Sequence, residues 1–194
     1  MTGQPAHQVT ERSFDGGDGY VLTVDLLLSS DVAPADAERV ADGFFRDHFS
    51  LSTVADYATI PSSWPTSKMP LTIVYNQSQP GEPSLKDAGD FAAARWNATP
   101  GNTYRLVSGG MTTATAGACA MNLDGQNTVT FQDPGGPSVL GFTCVVANNF
   151  NEIVEADIIF NPNVLFSSDS VTPPNAYDLW SVVPHSSEFL QLPS

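Results

Sequence analysis

The chain has 194 residues, 41% of them hydrophobic, which is enough to bury one sizeable core. It carries 7 basic and 21 acidic side chains, a formal net charge of -14, and this charge argues against nucleic acid and membrane surfaces as partners because both are anionic. The sequence contains no apolar run of about 18 residues, the length that a membrane-spanning helix needs. The first ten residues lack the basic start and apolar stretch of a signal peptide, so secretion would require a signal that this sequence does not show.

Residues 1–63 are predicted to form an N-terminal βα extension, which resembles a propeptide in position. Residues 1–19 are polar and glycine-rich, which predicts poor order. Residues 20–28 alternate four aliphatic side chains onto one face, as a strand does, although Asp25 interrupts them. A helix is expected from Pro34, with an apolar stripe that ends at Phe45. Several prolines then predict a linker and a domain boundary near Trp64.

Residues 64–194 are predicted to be the second unit, in which strands surround one helix. Residues 71–75 have the β-branched and aromatic composition of a strand, and Ser84 with Asp87 forms a capping box at the start of a helix. Further strands are expected at residues 104–107, 128–131, 139–147 and 153–160. This order predicts an α+β fold in which a mixed sheet carries helices on its face.

Cys119 and Cys144 are the only cysteines of the chain. Two cysteines cannot supply a four-ligand zinc site, and no CxxC pair indicates a redox function. A disulfide between them is the preferred interpretation, and it would place the protein in an oxidising compartment such as the extracellular space. Two buried free thiols are the alternative.

Three stretches of the second unit resemble the bacterial relatives of the matrixins, zinc metalloproteases of the metzincin clan. The first is PLTIVY at residues 70–75, followed by AAARW at 92–96. The second is DGQNTVTF at 124–131, followed by VLGFT at 139–143. The third is EADIIFN at 155–161, followed by YDLWSVVPH at 177–185. The order and spacing of these stretches carry the resemblance, which covers residues 64–185 and leaves residues 1–63 outside it.

The resemblance implies a secreted zinc metalloendopeptidase that acts on a peptide or protein substrate. In that family a twisted five-stranded mixed sheet carries helices on its face, and the fourth strand is an antiparallel edge above the active-site cleft. By match, Gly141, Phe142 and Thr143 would form the rim along which a substrate peptide binds through main-chain hydrogen bonds. From residue types alone, Gly141 is a close-packing point and Phe142 a core residue.

The zinc motif of these enzymes is HExxHxxGxxH, in which three histidines bind zinc and the glutamate is the general base for a zinc-bound water. His185 falls at the position of the first zinc ligand. Ser186 then replaces the general base, Phe189 replaces the second histidine, and no third histidine follows. His7 and His48 lack the spacing to substitute for them. Zinc is therefore the cofactor expected for the family, and this chain is expected to be inactive with an incomplete zinc site.

Two functions of different classes remain after this comparison. One is zinc-dependent proteolysis at the level of the family. The other is a non-catalytic extracellular β-rich module that binds a peptide or protein along an exposed edge strand. Because the motif-bearing helix is incomplete, Val154, Ile158 and Phe160 are expected to be exposed on the sheet face, which predicts self-association.

Overall fold

A computed structural model describes residues 8–49, 62–77, 84–167 and 176–179, and its fold is α+β, as the sequence predicts. The helices of the described part are α1 (Ala37–His48) and α2 (Leu85–Asn97), accompanied by short 3-10 turns at Thr66–Lys68 and Ala118–Ala120. The main strands are β1 (Gln8–Gly17), β2 (Tyr20–Leu28), β3 (Leu71–Asn76), β4 (Leu106–Met111), β5 (Asn127–Phe131), β6 (Val139–Asn148) and β7 (Ile153–Phe160). Two short strands, β8 (Phe166–Ser167) and β9 (Tyr177–Asp178), pair with each other.

The seven main strands form one mixed sheet in the order β1-β2-β6-β7-β5-β3-β4. Strands β4, β3, β5 and β7 are parallel to one another, and β6 is antiparallel to both of its neighbours, β2 and β7. The expected count of five strands is wrong, because the N-terminal segment adds β1 and β2 to the same sheet. The extension is thus continuous with the second unit through the β2–β6 pairing.

Strand β1 corrects, for residues 8–19, the expectation that residues 1–19 are poorly ordered, whereas residues 1–7 lie outside the described residues. It pairs with β2 from Gln8 opposite Leu28 to Gly17 opposite Tyr20, as an antiparallel hairpin. Gly17, Asp18 and Gly19 all have positive φ angles at the turn, a conformation that glycine and aspartate tolerate better than other residues. Within β1 only Phe14 is buried, so the sequence shows no apolar alternation that would reveal the strand.

One face of the sheet is covered by α1, which packs an aromatic cluster onto the hairpin and β6. Phe44 meets the Phe142 ring of β6 edge-on, with the ring centroids 5.1 Å apart, and Phe14 stacks on Phe49 at 5.3 Å. Arg12 of β1 forms ion pairs with Glu38 and Asp42 on the exposed side of α1. The N-terminal segment and β6 therefore share a single apolar core, whose buried members include Leu22, Val24, Leu26, Leu28, Cys144 and Val146.

The opposite face is covered by α2, whose first turn is capped by Ser84. The Ser84 hydroxyl accepts a hydrogen bond from the Asp87 N–H at 3.1 Å, as the sequence predicts. Ile158 and Phe160 are buried in the cluster that α2 forms with the sheet, so the expectation that they are exposed is wrong, and Val154 is half-buried. Neither helix of the described ranges has the length and apolarity required to cross a bilayer.

Candidate functional site

The residues expected to form a substrate rim lie on an interior strand of the sheet. Gly141, Phe142 and Thr143 of β6 are aligned with residues 25–27 of β2 on one side and with residues 158–160 of β7 on the other. The expectation of an antiparallel edge at β6 is therefore wrong, because β2 pairs with β6 along nearly its whole length. A substrate peptide cannot add to this strand while β2 is in place.

Gly141 and Phe142 are both tightly packed, Gly141 against β7 and Phe142 against α1. A Cβ atom at Gly141 would lie 2.5 Å from the Ile159 carbonyl oxygen, so this position requires glycine for the close approach of β6 and β7. The Phe142 side chain is buried and contacts Phe44 and Phe49. Gly141 thus allows β6 to lie close to β7, and Phe142 packs α1 onto the sheet.

Cys119 and Cys144 form a disulfide, which confirms the preferred interpretation of the two cysteines. Their Cα atoms are 5.2 Å apart, within the usual range for the bond. Cys144 lies in β6 and Cys119 in the short 3-10 turn that precedes β5, so the bond ties the loop between β4 and β5 to the sheet face. Asp157 of β7 also binds this loop, because its carboxylate accepts a hydrogen bond from the Ala118 N–H at 2.9 Å. The same carboxylate accepts a hydrogen bond from the Thr128 N–H of β5 at 2.7 Å.

Two buried carboxyl groups of β7 lie under this loop. Burial raises the pKa of Asp157 to about 7, although the two backbone N–H donors act in the opposite direction. Burial also raises the pKa of Glu155, which accepts a hydrogen bond from the Gly125 N–H at 2.6 Å. The second carboxyl oxygen of Glu155 is buried and has no hydrogen-bond partner among the described residues. The two carboxyl groups thus position the loop between β4 and β5 over the sheet.

A third buried carboxyl group, Asp25, lies in the middle of β2. It is 3% exposed, and burial together with the nearby charge of Glu11 raises its pKa to about 8. Asp25 is aligned with Glu11 on β1 and with Thr143 on β6. Thr143 is one of the residues expected at the substrate rim. Asp25 is thus the carboxyl-bearing residue of β2, and it lies next to β6.

The expected zinc position falls outside the structure. His185 and Ser186 lie beyond the described residues, as does His7. His48 is at the end of α1, where its Nδ1 hydrogen-bonds to the Phe44 carbonyl at 2.9 Å and its ring stacks on Phe44. Across residues 8–49, 62–77, 84–167 and 176–179, no group of three or more His, Cys, Asp or Glu side chains is arranged to hold a metal ion.

Sequence reasoning missed the pairing of Asp25 with Glu11 and the role of Glu155. A signal for the first was present, since Asp25 is the one charged residue in an apolar strand. Its partner could not be identified without β1, which has no alternating pattern. Glu155 and Asp157 differ from a solvated acidic pair because their strand is buried on both faces, which becomes evident only when the neighbours of β7 are known.

No protein-family profile, no curated protein and no solved structure matches the chain.

Proposed function

We propose that the chain carries the sheet scaffold of a matrixin-like zinc metalloendopeptidase and does not itself complete the catalytic site. The observation that supports this is the arrangement of the five strands β3 to β7. Four of them are parallel and the fourth in chain order, β6, is antiparallel. A mixed sheet with a helix, α2, packed on its face supports the proposal, whereas the position of β6 between β2 and β7 differs from the edge that the resemblance implies.

The residues present do not fit a catalytic zinc ion. A zinc site for hydrolysis needs three protein ligands and a general base beside the metal-bound water. Of the first three positions in the motif that would supply them, only His185 has a suitable side chain, since a serine stands at 186 and a phenylalanine at 189. The donor set of this chain is therefore too small, and no hydrolytic step is derived for it.

The pairing of β2 with β6 limits where a substrate could bind. In the intact chain β2 makes the main-chain contacts to β6 that the resemblance assigns to a substrate peptide. Even with a complete zinc motif, a substrate would have to bind elsewhere or displace β2. The described structure is thus that of a chain closed to substrate at this strand.

A second candidate function is peptide or protein binding at a different edge. Among the described strands, β1 and β4 are the two ends of the sheet. Strand β4 has Val107 and Met111 exposed, at 39% and 57% of their full surface, and β1 has Val9 exposed at 45%. Backbone groups at such an edge can pair with an added strand, so these edges favour a binding module over an inert scaffold.

The experiment that tests the first proposal is to sequence the source gene across codon 185 and about thirty codons downstream, which covers the metzincin motif. The expected result is that the source gene differs from the present chain after His185 and continues there into HExxHxxGxxH, so that residues 186–194 are not the natural continuation. A protein expressed from that frame should cleave an unfolded protein substrate, and replacing the motif glutamate by glutamine should abolish the cleavage. If the gene encodes Ser186 and Phe189 in place, the scaffold is not that of a protease precursor and the edge-binding function becomes the leading one.

A further inference from the structure

Strand β4 lies at one end of the sheet, and its first residue is bonded to a side chain where a further strand would lie. Nδ2 of Asn97, the last residue of α2, donates to the Leu106 carbonyl at 2.8 Å. Oδ1 of the same side chain accepts a hydrogen bond from the Leu106 N–H at 3.0 Å. Both bonds have the usual length of an N–H···O hydrogen bond. One amide group therefore binds both main-chain groups of Leu106.

These two groups of Leu106 lie on the outer side of β4. Leu106 is aligned with Leu71 of β3, yet the Leu71 N–H donates to the carbonyl of the preceding residue, Arg105, at 2.8 Å. Successive residues of a strand direct their main-chain groups to alternate sides, so the groups of Leu106 face outward. A residue on an antiparallel neighbour strand would offer them one donor and one acceptor. Among the described strands none pairs with β4 on this side, and the Asn97 amide takes that position.

The second half of β4 has an irregular backbone. The register with β3 shifts between Ser108 and Gly110, and Gly110 has a φ angle of 86°. Gly109 is the additional residue at this bulge, where a Cβ atom would lie 2.6 Å from the Thr72 side chain. A bulge interrupts the ladder that an incoming strand needs. The regular part of β4 is therefore short, and Asn97 lies at its beginning.

The side chains of β4 do not protect its edge. The strand reads LVSGGM, without a charge or a proline, and Val107 and Met111 are both exposed. Strand β1, at the other end of the sheet, carries Glu11, Arg12 and Asp15. Charged side chains and prolines are common means by which edge strands avoid pairing with a second copy. Because β4 has neither, its outward main-chain groups need another partner.

We propose that Asn97 closes the edge of β4 against a second copy of this chain, by binding the main-chain groups with which that copy would pair. The proposal does not rest on proteolysis, because it concerns only this end of the sheet. It also restricts the second candidate function, since a peptide that pairs with Leu106 has to displace the Asn97 amide. Without that amide, two β4 edges pair antiparallel about a twofold axis. The product is a dimer, because each copy contributes the same edge to the contact.

The test is the mass of the intact chain and its variants, measured by size-exclusion chromatography with light scattering over a wide range of concentration. The unchanged chain should keep a constant monomer mass. Asn97→Ala should show a mass that rises with concentration by up to about twofold, the value for a dimer. Asn102→Ala is the matched control and should stay monomeric. The Asn102 amide also binds two main-chain groups near the end of α2, the Trp96 carbonyl and the Tyr104 N–H, which lie outside β4.

A second substitution locates the contact. Adding Val107→Lys to Asn97→Ala should restore the monomer, because the paired edges would then bring two like charges together. The exposed position of Val107 accommodates a lysine.

Three results would overturn the proposal. They are an Asn97→Ala variant that is folded, by near-ultraviolet circular dichroism, and monomeric at every concentration, a dimer that persists with Val107→Lys, and equal association in Asn102→Ala. If Asn97→Ala does not fold, Asn97→Ser replaces it, because a serine hydroxyl is uncharged and too short to bridge both groups of Leu106. A concentration-dependent dimer of that variant supports the proposal, and a monomer overturns it.

Discussion

Asn161 directly follows β7, and its buried side-chain amide makes three hydrogen bonds to backbone groups. Its Nδ2 donates to the Gly136 carbonyl at 2.8 Å and to the Val139 carbonyl at 2.7 Å, and its Oδ1 accepts from the Asn163 N–H at 2.9 Å. These bonds fix the loop that leads from β5 into β6. An amide can satisfy this set of two acceptors and one donor, and a carboxylate cannot.

Asn161→Asp is therefore expected to lower the free energy of unfolding by about 2–4 kcal/mol at pH 7, because two buried carbonyls lose their donor and a charge is placed next to them. Urea denaturation measures the change. Asn163→Asp is the matched control, since the exposed Asn163 contributes only its backbone N–H, and it should change the free energy of unfolding by less than about 0.5 kcal/mol. Similar losses in the two variants would mean that the side-chain bonds of Asn161 do not matter.

At the scale of elements, the two helices contain glycines in opposite environments. A Cβ atom at Gly89 of α2 would lie 2.3–2.7 Å from the ring and hydroxyl atoms of Tyr75, which is buried beneath the helix. A Cβ atom at Gly43 of α1 would have the Arg46 guanidinium at 3.8 Å as its nearest neighbour, an ordinary contact. Helix propensity favours alanine at both positions, and packing opposes it only at Gly89.

Gly89→Ala should reduce the free energy of unfolding by about 1–3 kcal/mol, since overpacking against Tyr75 exceeds the propensity gain. Gly43→Ala should increase it by about 0.5–1 kcal/mol. Thermal and urea denaturation of both variants at one pH provide the comparison. A stabilised Gly89→Ala would indicate that Tyr75 moves aside at little cost, contrary to the packing described here.

The sequence predicts most elements and fails where their pattern is weak. Strands β2, β3, β5, β6 and β7 and both helices are found close to their expected positions, because each has an apolar stripe or alternation that its burial requires. Strand β4 begins and ends later than predicted, and Gly109 and Gly110 within it gave no signal of a strand. Strand β1 was missed, since its order comes from pairing with β2 and not from its own apolar residues.

The candidate site was less predictable than the fold. The resemblance indicated that β6 is antiparallel, which is the case. It could not indicate that β6 is covered, because the covering strand lies in residues 1–63, to which the resemblance does not extend. The Asp25–Glu11 pair depends on the register of the hairpin, and a shift of one residue would separate the two side chains onto opposite faces.

At the scale of the molecule, residues 8–49 complete the core that β6 needs on the α1 side. Buried side chains of this segment that belong to the shared core include Phe14, Leu22, Val24, Leu26, Leu28, Phe44, Phe45 and Phe49. Removing them would leave Phe142, Val146 and the β2-facing edge of β6 exposed in one area. An extended unpaired strand beside apolar surface is a common origin of self-association.

A fragment of residues 62–194 is thus expected to form oligomers or aggregates under conditions in which the intact chain is monomeric. Size-exclusion chromatography with light scattering at several concentrations measures this, with the intact chain as the control. A fragment that remains monomeric and unfolds cooperatively near the temperature of the intact chain would show that residues 64–194 fold as an independent unit, in agreement with the boundary predicted at Trp64.

The β2–β6 pairing also governs how the chain acquires its fold during synthesis. The paired residues are more than a hundred positions apart, from Leu28 opposite Val139 to Tyr20 opposite Asn148. The hairpin can form as soon as it leaves the ribosome, but its partner strand emerges only after most of the chain has been translated. For that interval the apolar β2 has one edge unpaired, and long-range closure of this kind is slow. Nascent chains should therefore depend on chaperones until β6 has emerged.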